Sequence, residues 1–237
     1  MTLSRLRERS RTPELMDDPE LDAGAHEQAL RALARVNRLS GTARGIWPLV
    51  RAAHRADEGR PVRVLDVACG GGDVLAWLGR RARKEGVPIR LAGCDISPRA
   101  LEHAAARLGG EQLTADLDVL DVTRDPLPGP FDVVACSLFL HHLTDDDAVK
   151  LLARMTEAAR VAVVQDLRRT AIGLALAWGT LRVISRSAVA RIDGPRSVRA
   201  ARSVDEVRAL ADRAALSGVR IERVWPQRLR ATWAGRE

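Results

Sequence analysis

The feature that most constrains this 237-residue sequence is the segment VRVLDVACGGGD, from Val62 to Asp73. Its first half is mostly apolar, as expected for a buried parallel strand, and it ends in an acid, Asp66. The three glycines that follow, Gly70–Gly72, let the backbone bend sharply and let a ligand approach it closely. Ligands of open parallel sheets bind at the carboxyl ends of the strands. The segment therefore predicts an α/β fold with a ligand site at this turn.

A dinucleotide is one ligand that such a turn could hold. Its fingerprint, G-x-G-x-x-G after a strand, requires a third glycine. Gly70 and Gly72 match the first two positions, but the third falls on Leu75. The most informative position of the dinucleotide fingerprint therefore lacks its glycine, and the sequence disfavours a dehydrogenase.

Strand and helix patterns alternate after residue 60. Predicted strands cover residues 62–67, 89–95, about 118–121, 131–137 and 160–166. This alternation predicts a mostly parallel sheet with helices on both faces. Two last strands, 219–225 and 228–233, are joined by so short a link that they must form an antiparallel hairpin. Before them, Ser203 and Glu206 form a capping box for a helix that we expect to reach about Leu216.

The chain outside this alternation predicts two additions to the sheet domain. Residues 1–58 form an N-terminal helical cap, with a poorly ordered stretch at 1–20 and helices over 23–39 and 43–56. The domain proper covers 59–237 and contains a lid-like insertion at 168–200. In that insertion an apolar helix is predicted from Ala171 to Ser185, followed by a loop around Asp193–Pro195.

Composition argues against several partners. Only Lys84 and Lys150 are lysines among 38 basic residues, and the arginines are spread along the chain without interleaved aromatic residues, so we expect no nucleic-acid partner despite the net charge of +7. The three cysteines lack CxxC spacing, which predicts reduced thiols in a cytoplasmic protein and no metal site. The charged N-terminus does not resemble a signal peptide, and the longest apolar run is shorter than the roughly 20 residues of a membrane span.

The motifs taken together resemble those of the class I S-adenosylmethionine-dependent methyltransferases. Val62–Asp73 resembles their D-x-G-x-G-x-G motif, with Ala68 in place of the first glycine. Asp95 ends the second strand, Asp121 lies near the end of the third, and FDVVACSLFLHHL is similar to the fourth-strand motif. The four pieces stand in the family's order across residues 62–143. The resemblance implies a Rossmann-like seven-stranded sheet and S-adenosyl-L-methionine as the cofactor.

The resemblance also implies a role for each matched position. Asp66 would orient the glycine loop and the cofactor's amino group, while Asp95 would accept hydrogen bonds from the ribose hydroxyls. Asp121 would accept one from the adenine amino group, with Asp118 as the alternative. The other expected contacts are Ala68, Gly70 and Gly72 beside the methionine moiety, Ile96 and Val122 at the adenine, Ser137 and Leu138 near the sulfonium, and Arg44 at the methionine carboxylate.

Three residues are candidates for chemistry on the methyl acceptor. His141 and His142 follow the fourth strand, and Asp166 ends the fifth, so all three are expected at the ligand edge of the sheet. The histidines could act as a general base, or one could pack inward as a structural residue. Asp166 could hold a substrate hydroxyl or serve as base, or it could pair with Arg168 or Arg169.

The predicted function is methyl transfer to a hydrophobic small molecule, with O-methylation of a phenolic or polyketide-like acceptor as the leading hypothesis. C-methylation of a quinone or lipid precursor is the close alternative. An RNA methyltransferase would require a different motif after strand four, and a non-catalytic scaffold would bind the cofactor without turnover. The apolar helix at 171–185 is expected to be a lid, a peripheral membrane contact or an oligomer contact.

Overall fold

The computed structural model describes residues 6, 8–18, 20–57 and 59–235. Its strands are β1 (Val62–Val67), β2 (Ile89–Asp95), β3 (Ala115–Val119), β4 (Phe131–Ser137), β5 (Ala159–Leu167), β6 (Arg220–Val224) and β7 (Arg228–Ala234). They form one seven-stranded sheet in the order β3-β2-β1-β4-β5-β7-β6. Strands β1 to β5 are parallel, and β7 runs antiparallel to both β5 and β6. The predicted mostly parallel sheet with a C-terminal hairpin is confirmed.

Eight α-helices accompany the sheet in the described residues. They are α1 (Ala23–Ser40), α2 (Thr42–Ala56), α3 (Asp73–Glu85), α4 (Pro98–Gly110), α5 (Asp145–Ala158), α6 (Ala171–Ile184), α7 (Ala188–Ala200) and α8 (Val204–Arg213). Side-chain caps fix several of their starts, at Ser97, Thr144 and Ser203, the last of which the sequence predicted. Gly41 ends α1 in the left-handed conformation, at φ 70°.

Side chains alternate between the two faces of the sheet along the central strands, so the buried apolar residues form one cluster on each face. In β1, Val62 and Val64 pack with α2, α3 and α4, whereas Leu65 and Val67 pack with α5 and α8. Asp66 lies on the face of Val62 and Val64, close to the end of the strand, and is itself buried. The ligand edge of the sheet is covered by other elements.

The remaining helices form that cover. Helix α7 contacts α6, α1 and a short 3-10 helix at Leu15–Asp17. Helix α6 keeps a wide apolar face exposed, with Ile172, Trp178 and Val183 among its most exposed side chains. No helix in the part of the chain that the structure describes is long and apolar enough to cross a membrane.

The loop predicted around Asp193–Pro195 is wrong, because these residues lie inside α7. These residues, which are typical of turns, make packing contacts with other elements instead. A side chain at Gly194 would collide with Leu181 of α6, so glycine allows the two helices to approach closely. The buried Asp193 carboxylate accepts hydrogen bonds from the backbone amides of Leu15 and Met16. Local propensity is here overridden by packing.

The stretch at 1–20 is also more structured than predicted over its described part, 8–18. Arg9 donates to the carbonyls of His141, Leu143 and Ala200, at 2.7, 2.8 and 2.6 Å. These bonds and those of Asp193 hold the segment against α7 and the end of β4. Residues 1–5, 7 and 19 of the predicted stretch lie outside the described residues.

The capping box of α8 provides a stability prediction. Ser203 Oγ accepts from the Glu206 amide at 3.1 Å, and the Glu206 carboxylate accepts from the Ser203 amide at 2.6 Å. Loss of such a cap costs about 1 kcal/mol. We expect Ser203→Ala to lower the free energy of unfolding in urea by about this amount. Ser217→Ala, at an exposed turn, is the matched control and should leave it unchanged; equal effects of the two variants would contradict the capping role.

Candidate active site

A cavity of about 950 Å³ lies at the carboxyl ends of β1, β2 and β4. The glycine loop and the strand ends form one wall. Helices α1, α6 and α7 form the other. Its size is in the range of cavities that hold a small organic ligand or cofactor.

Backbone geometry in the glycine loop explains why glycines are needed there. Gly70 and Gly72 have positive φ angles of 51° and 67°, which glycine adopts without strain. A Cβ at Gly72 would lie 2.8 Å from the Cβ of Ala104 in α4, so the close packing of loop and helix admits no side chain. Arg107 fixes the loop from behind through a 2.7 Å hydrogen bond to the Gly71 carbonyl. The bare backbone of Gly70 and Gly71 consequently faces the cavity.

Ala68 occupies the left-handed region, with φ 55°, where the resembling motif has glycine. This conformation costs a residue with a side chain about 1–2 kcal/mol. We expect Ala68→Gly to raise the free energy of unfolding by about 0.5 kcal/mol, because the relief of strain exceeds the added entropy of the unfolded chain. Chemical denaturation measures the change.

The control for this prediction is Ala175→Gly, at an exposed position inside α6. Its backbone is helical, so glycine should lower the free energy of unfolding by about 1 kcal/mol. If both glycine variants destabilise the protein equally, Ala68 is not strained.

Asp95 connects the glycine loop to the start of α4. Its Oδ2 accepts from the Gly70 amide and its Oδ1 from the Ser97 amide, both at 2.9 Å. Ser97 itself caps α4 by accepting from the Ala100 amide, so Asp95 is not needed for that purpose. The carboxylate lines the cavity, and each oxygen has a further lone pair for a ligand hydroxyl.

Two other carboxylates make this wall favour a cationic ligand. Asp66 is 2% exposed, and burial together with the charges of Asp73 and Asp95 raises its pKa well above the usual value. Burial also raises the pKa of Asp73, although a hydrogen bond from Asn37 opposes the shift. A positive group in the cavity would stabilise the ionised forms of both acids.

The end of β4 completes the wall. Ser137 and Leu138 both line the cavity, as does Ile96 after β2. The buried Ser137 Oγ has no hydrogen-bond partner among the described residues, which leaves it available to a ligand. Leu138 is held at φ 56° by a 2.8 Å bond from its amide to the Gln165 carbonyl. Strained backbone of this kind is concentrated at binding sites.

Three predicted cofactor residues are not brought to the cavity. Strand β3 ends at Val119, so Asp121 falls beyond it and accepts hydrogen bonds from the amide and hydroxyl of Thr123. Val122 packs into the core on the α5 side. Arg44 is exposed on the outer side of α2. The structure therefore does not support the roles that the resemblance implied for these residues.

Other polar residues line the cavity without having been predicted. Arg228, at the start of β7, is 2% exposed and reaches the side chains of Thr42 and Asn37. His26 of α1 is also buried, and its Nδ1 has no partner among the described residues. No local motif marks these positions, because they are brought to the site only by the packing of α1 and β7 against the strand ends.

The predicted acceptor residues form a connected chain with a fourth residue. His141 Nδ1 lies 2.7 Å from Asp166 Oδ1, and the His141 amide donates to Asp166 Oδ2 at 2.8 Å. On the other side of the ring, His141 Nε2 lies 3.5 Å from Glu14 Oε1. Burial alone would lower the pKa of His141, but the carboxylates of Asp166 and Glu14 outweigh it and raise the pKa to about 9.

Asp166 orients His141 and does not face the cavity itself. It pairs with neither Arg168, which reaches Gln227, nor Arg169, which pairs with Glu206. The structure gives Asp166 a contact that the sequence did not predict, in which the carboxylate positions the His141 imidazole.

His142 stands beside His141 on the cavity wall, with the two ring centres 4.3 Å apart. Its Nδ1 lies 3.2 Å from Asp17 Oδ2 and its Nε2 3.8 Å from Glu14 Oε1. The ring of Phe139 stacks on it at 5.8 Å. Both histidines are thus fixed in place and directed at the same part of the cavity.

One wall of the cavity is apolar. It is lined by Leu33, Val36, Leu176, Ala177, Leu181 and Ile184 of α1 and α6. A ligand bound between this wall and the histidines would be in contact with hydrocarbon on one side and with polar groups on the other. The apolar helix predicted at 171–185 therefore forms part of the site, besides having an exposed face.

Comparisons with known proteins agree with this geometry. A family model described as a methyltransferase domain matches residues 64–161. The chain is 35% identical over 95 residues to a demethylmenaquinone methyltransferase of Deinococcus radiodurans, covering 40% of this chain and 38% of that one. It is 33% identical over 118 residues to a ubiquinone biosynthesis O-methyltransferase of Thiobacillus denitrificans, covering 48% of each. The chain thus spans about half the length of these curated relatives, or less.

The fold has similar solved structures. The plantazolicin methyltransferase BpumL, in complex with a triazolic desmethylPZN analog and SAH, matches with a TM-score of 0.61 at 15% identity, covering 90% of this chain and 99% of that one. The domain match includes the glycine loop, Asp95 and the end of β4. Residues 64–161 therefore match a methyltransferase domain, and the chain has the fold of this methyltransferase structure.

Proposed function

We propose that this protein transfers a methyl group from S-adenosyl-L-methionine to a hydrophobic small molecule, at an oxygen of a phenolic or polyketide-like acceptor. The observation that carries the proposal is one continuous cavity. It joins the glycine loop and Asp95 to the histidine pair and an apolar wall. Methyl transfer needs donor and acceptor in line within one partly dry space, and this cavity supplies it.

The residues on the first wall fit the cofactor. Gly70 and Gly71 line the cavity without a side chain that would fill it, and the Asp95 carboxylate on the same wall has lone pairs available to a ligand. Asp66 and Asp73 favour positive charge, which the cofactor carries on its sulfonium and amino groups. When bound, S-adenosyl-L-methionine supplies an electrophilic methyl group.

Arg228 is the residue we propose for the cofactor's carboxylate, in place of Arg44. It is a buried cation on the cavity wall, close to Asn37. The Ser137 hydroxyl and the strained turn at Leu138 lie at the end of β4, between this wall and the histidines. They would border the reacting methyl group.

The acceptor's nucleophilic atom would lie against His141 and His142. Asp166 holds His141 in one orientation, and Glu14 stands between the two imidazoles on the cavity side. These groups can hold a hydroxyl by hydrogen bonds and favour the loss of its proton. The apolar wall of α1 and α6 would hold the hydrocarbon part of the acceptor and exclude water.

The relatives support quinone-like or phenolic chemistry but differ in the atom methylated. One named relative is a ubiquinone biosynthesis O-methyltransferase, whereas another, from Xanthomonas campestris, is a ubiquinone/menaquinone biosynthesis C-methyltransferase. The histidine–carboxylate cluster favours oxygen, because a hydroxyl nucleophile benefits from a group that takes up its proton. C-methylation of a quinone or lipid precursor is the second candidate.

The proposal is tested by incubating the protein with methyl-labelled S-adenosyl-L-methionine and a panel of phenols, catechols and quinols. We expect label in an organic-soluble product, released as methyl iodide when the ether is cleaved with hydriodic acid. Product that carries label and resists ether cleavage would indicate C-methylation. Absence of labelled product from the whole panel, with the cofactor bound, would contradict a hydrophobic phenolic acceptor.

A further inference from the structure

Three side chains at the acceptor end of the cavity have the composition of a metal site. Glu14, His141 and His142 each present one ligand atom, and these atoms all lie within 4.8 Å of one another. Glu14 Oε1 is 3.5 Å from His141 Nε2 and 3.8 Å from His142 Nε2. Ligand atoms that each lie about 2.0–2.2 Å from one ion are separated from one another by distances close to these two. The three atoms could therefore bind one cation after only small rotations of their side chains.

The outer nitrogens of both imidazoles are already held by carboxylates. His141 Nδ1 is 2.7 Å from Asp166, and His142 Nδ1 is 3.2 Å from Asp17. Metal-binding histidines in proteins donate their second N–H to a carboxylate in this way, which fixes the ring and strengthens the ligand. A pair of histidines that served only to fill space would not need both outer nitrogens fixed and both inner nitrogens directed at one carboxylate.

The local charge also favours a cation. Glu14, Asp17 and Asp166 surround the two imidazoles, and Glu14 and Asp166 are buried. Three nearby cationic side chains are bound to backbone carbonyls of the same turn: Arg9 donates to those of His141 and Leu143, Arg11 to that of His142, and Arg202 to that of Leu143. Glu14 additionally accepts a hydrogen bond from Ser197. The centre between Glu14 and the imidazoles is bordered by one carboxylate oxygen and two ring nitrogens.

We propose that Glu14, His141 and His142 bind a divalent first-row transition-metal cation, with open coordination positions that face the cavity. Two imidazoles and one carboxylate suit zinc, iron(II), cobalt and manganese, and a site with open positions is typical of catalytic metals. The proposal departs from the expectation of no metal, which considered the cysteines. It stands independently of the proposed methyl transfer, because metal binding can be measured without cofactor or acceptor.

The function of such a cation follows from the proposed function and rests on it. All three ligands line the cavity beside the apolar wall. A cation there would bind an acceptor hydroxyl and favour the loss of its proton. Acceptors with two neighbouring oxygens, such as catechols, would then be preferred over phenols with one.

Titration with Co²⁺ tests the site directly. The protein is prepared without a histidine tag, stripped with a chelator and titrated while visible d–d absorption is recorded. We expect one Co²⁺ per chain, with a spectrum that Zn²⁺ abolishes by competition. Glu14→Gln and His142→Ala should each weaken Co²⁺ binding at least tenfold, whereas His54→Ala, at a histidine outside the cavity, should bind as the unchanged protein does. Circular dichroism establishes that each variant is folded.

Asp166→Asn distinguishes weaker metal binding from loss of folding. It keeps all three ligands but weakens the fixation of His141, so the affinity for Co²⁺ should fall about 10- to 100-fold with one ion still bound. Asp132→Asn, at a buried acid elsewhere in the fold, is its control and should leave the affinity unchanged. No Co²⁺ spectrum in the unchanged protein, or equal affinity in Glu14→Gln, would overturn the metal proposal and leave methyl transfer unaffected. Metal binding without labelled product would contradict the proposed function alone.

Discussion

Asp95→Ala is expected to weaken the binding of S-adenosyl-L-methionine at least a hundredfold, as measured by isothermal titration calorimetry. The carboxylate fixes the Gly70 and Ser97 amides and retains lone pairs for the ribose hydroxyls. Hydrogen bonds to a charged group contribute about 1.5–3 kcal/mol each, and about 2.7 kcal/mol corresponds to a hundredfold change in affinity. The variant therefore loses ligand contacts and the anchor of the glycine loop together.

Asp121→Ala is the matched control for this prediction. Both acids follow a strand of the parallel sheet, and the resemblance gave both a contact with the cofactor. Asp121, however, accepts from Thr123 in a turn and does not line the cavity. We expect Asp121→Ala to bind the cofactor as the unchanged protein does. Equal losses in the two variants would show that the resemblance is right about Asp121 and that the third strand has a different register in solution.

His142→Ala is expected to lower kcat/KM for methyl transfer about a hundredfold, with the affinity for the cofactor unchanged. The imidazole lies on the cavity wall beside His141 and near Glu14, on the acceptor side of the cavity. Removing a group that assists proton transfer typically costs 10²–10⁴-fold in rate. The acceptor found with the phenol panel serves as substrate, and cofactor affinity is measured by calorimetry on the same preparation.

Two results would count against this assignment. An unchanged kcat/KM would remove His142 from the acceptor site. A parallel loss of cofactor affinity would place the imidazole at the donor instead. His54→Ala again serves as the control for the loss of a histidine and should alter neither quantity, since its side chain does not line the cavity.

The central strands, including their first and last residues, could be predicted from the sequence. The structure gives β1, β2 and β4 the predicted bounds 62–67, 89–95 and 131–137. Buried parallel strands form short apolar runs that end at polar or glycine residues, so both their presence and their limits are visible in one sequence. The glycine loop and Asp95 could be predicted for the same reason, because they follow directly from strand ends.

Strand β3 lies at the edge of the sheet and lacks that signal. Most of its residues are exposed or half-buried, and its acids alternate with apolar residues. The predicted strand, about 118–121, is consequently displaced from the observed one, Ala115–Val119. This displacement is what placed Asp121 at the site in the sequence-based account.

The acceptor half of the site depends on contacts that no local pattern shows. Glu14 lies in a polar segment that appeared poorly ordered, and it reaches His141 only because Asp193 and Arg9 hold that segment against α7 and β4. Helix α7 was itself hidden by Gly194 and Pro195, which are typical of turns. Such a site is assembled by tertiary packing, so its residues can be named only from the structure.

Calorimetric titration of the unchanged protein with S-adenosyl-L-methionine tests whether this cavity binds the methyl donor. We expect saturable binding of one molecule per chain, with NAD⁺ giving no heat at the same concentrations because Leu75 and the loop geometry do not suit a dinucleotide. Absence of binding to S-adenosyl-L-methionine at millimolar concentration, or a preference for NAD⁺, would contradict the assignment of this cavity to a methyl donor.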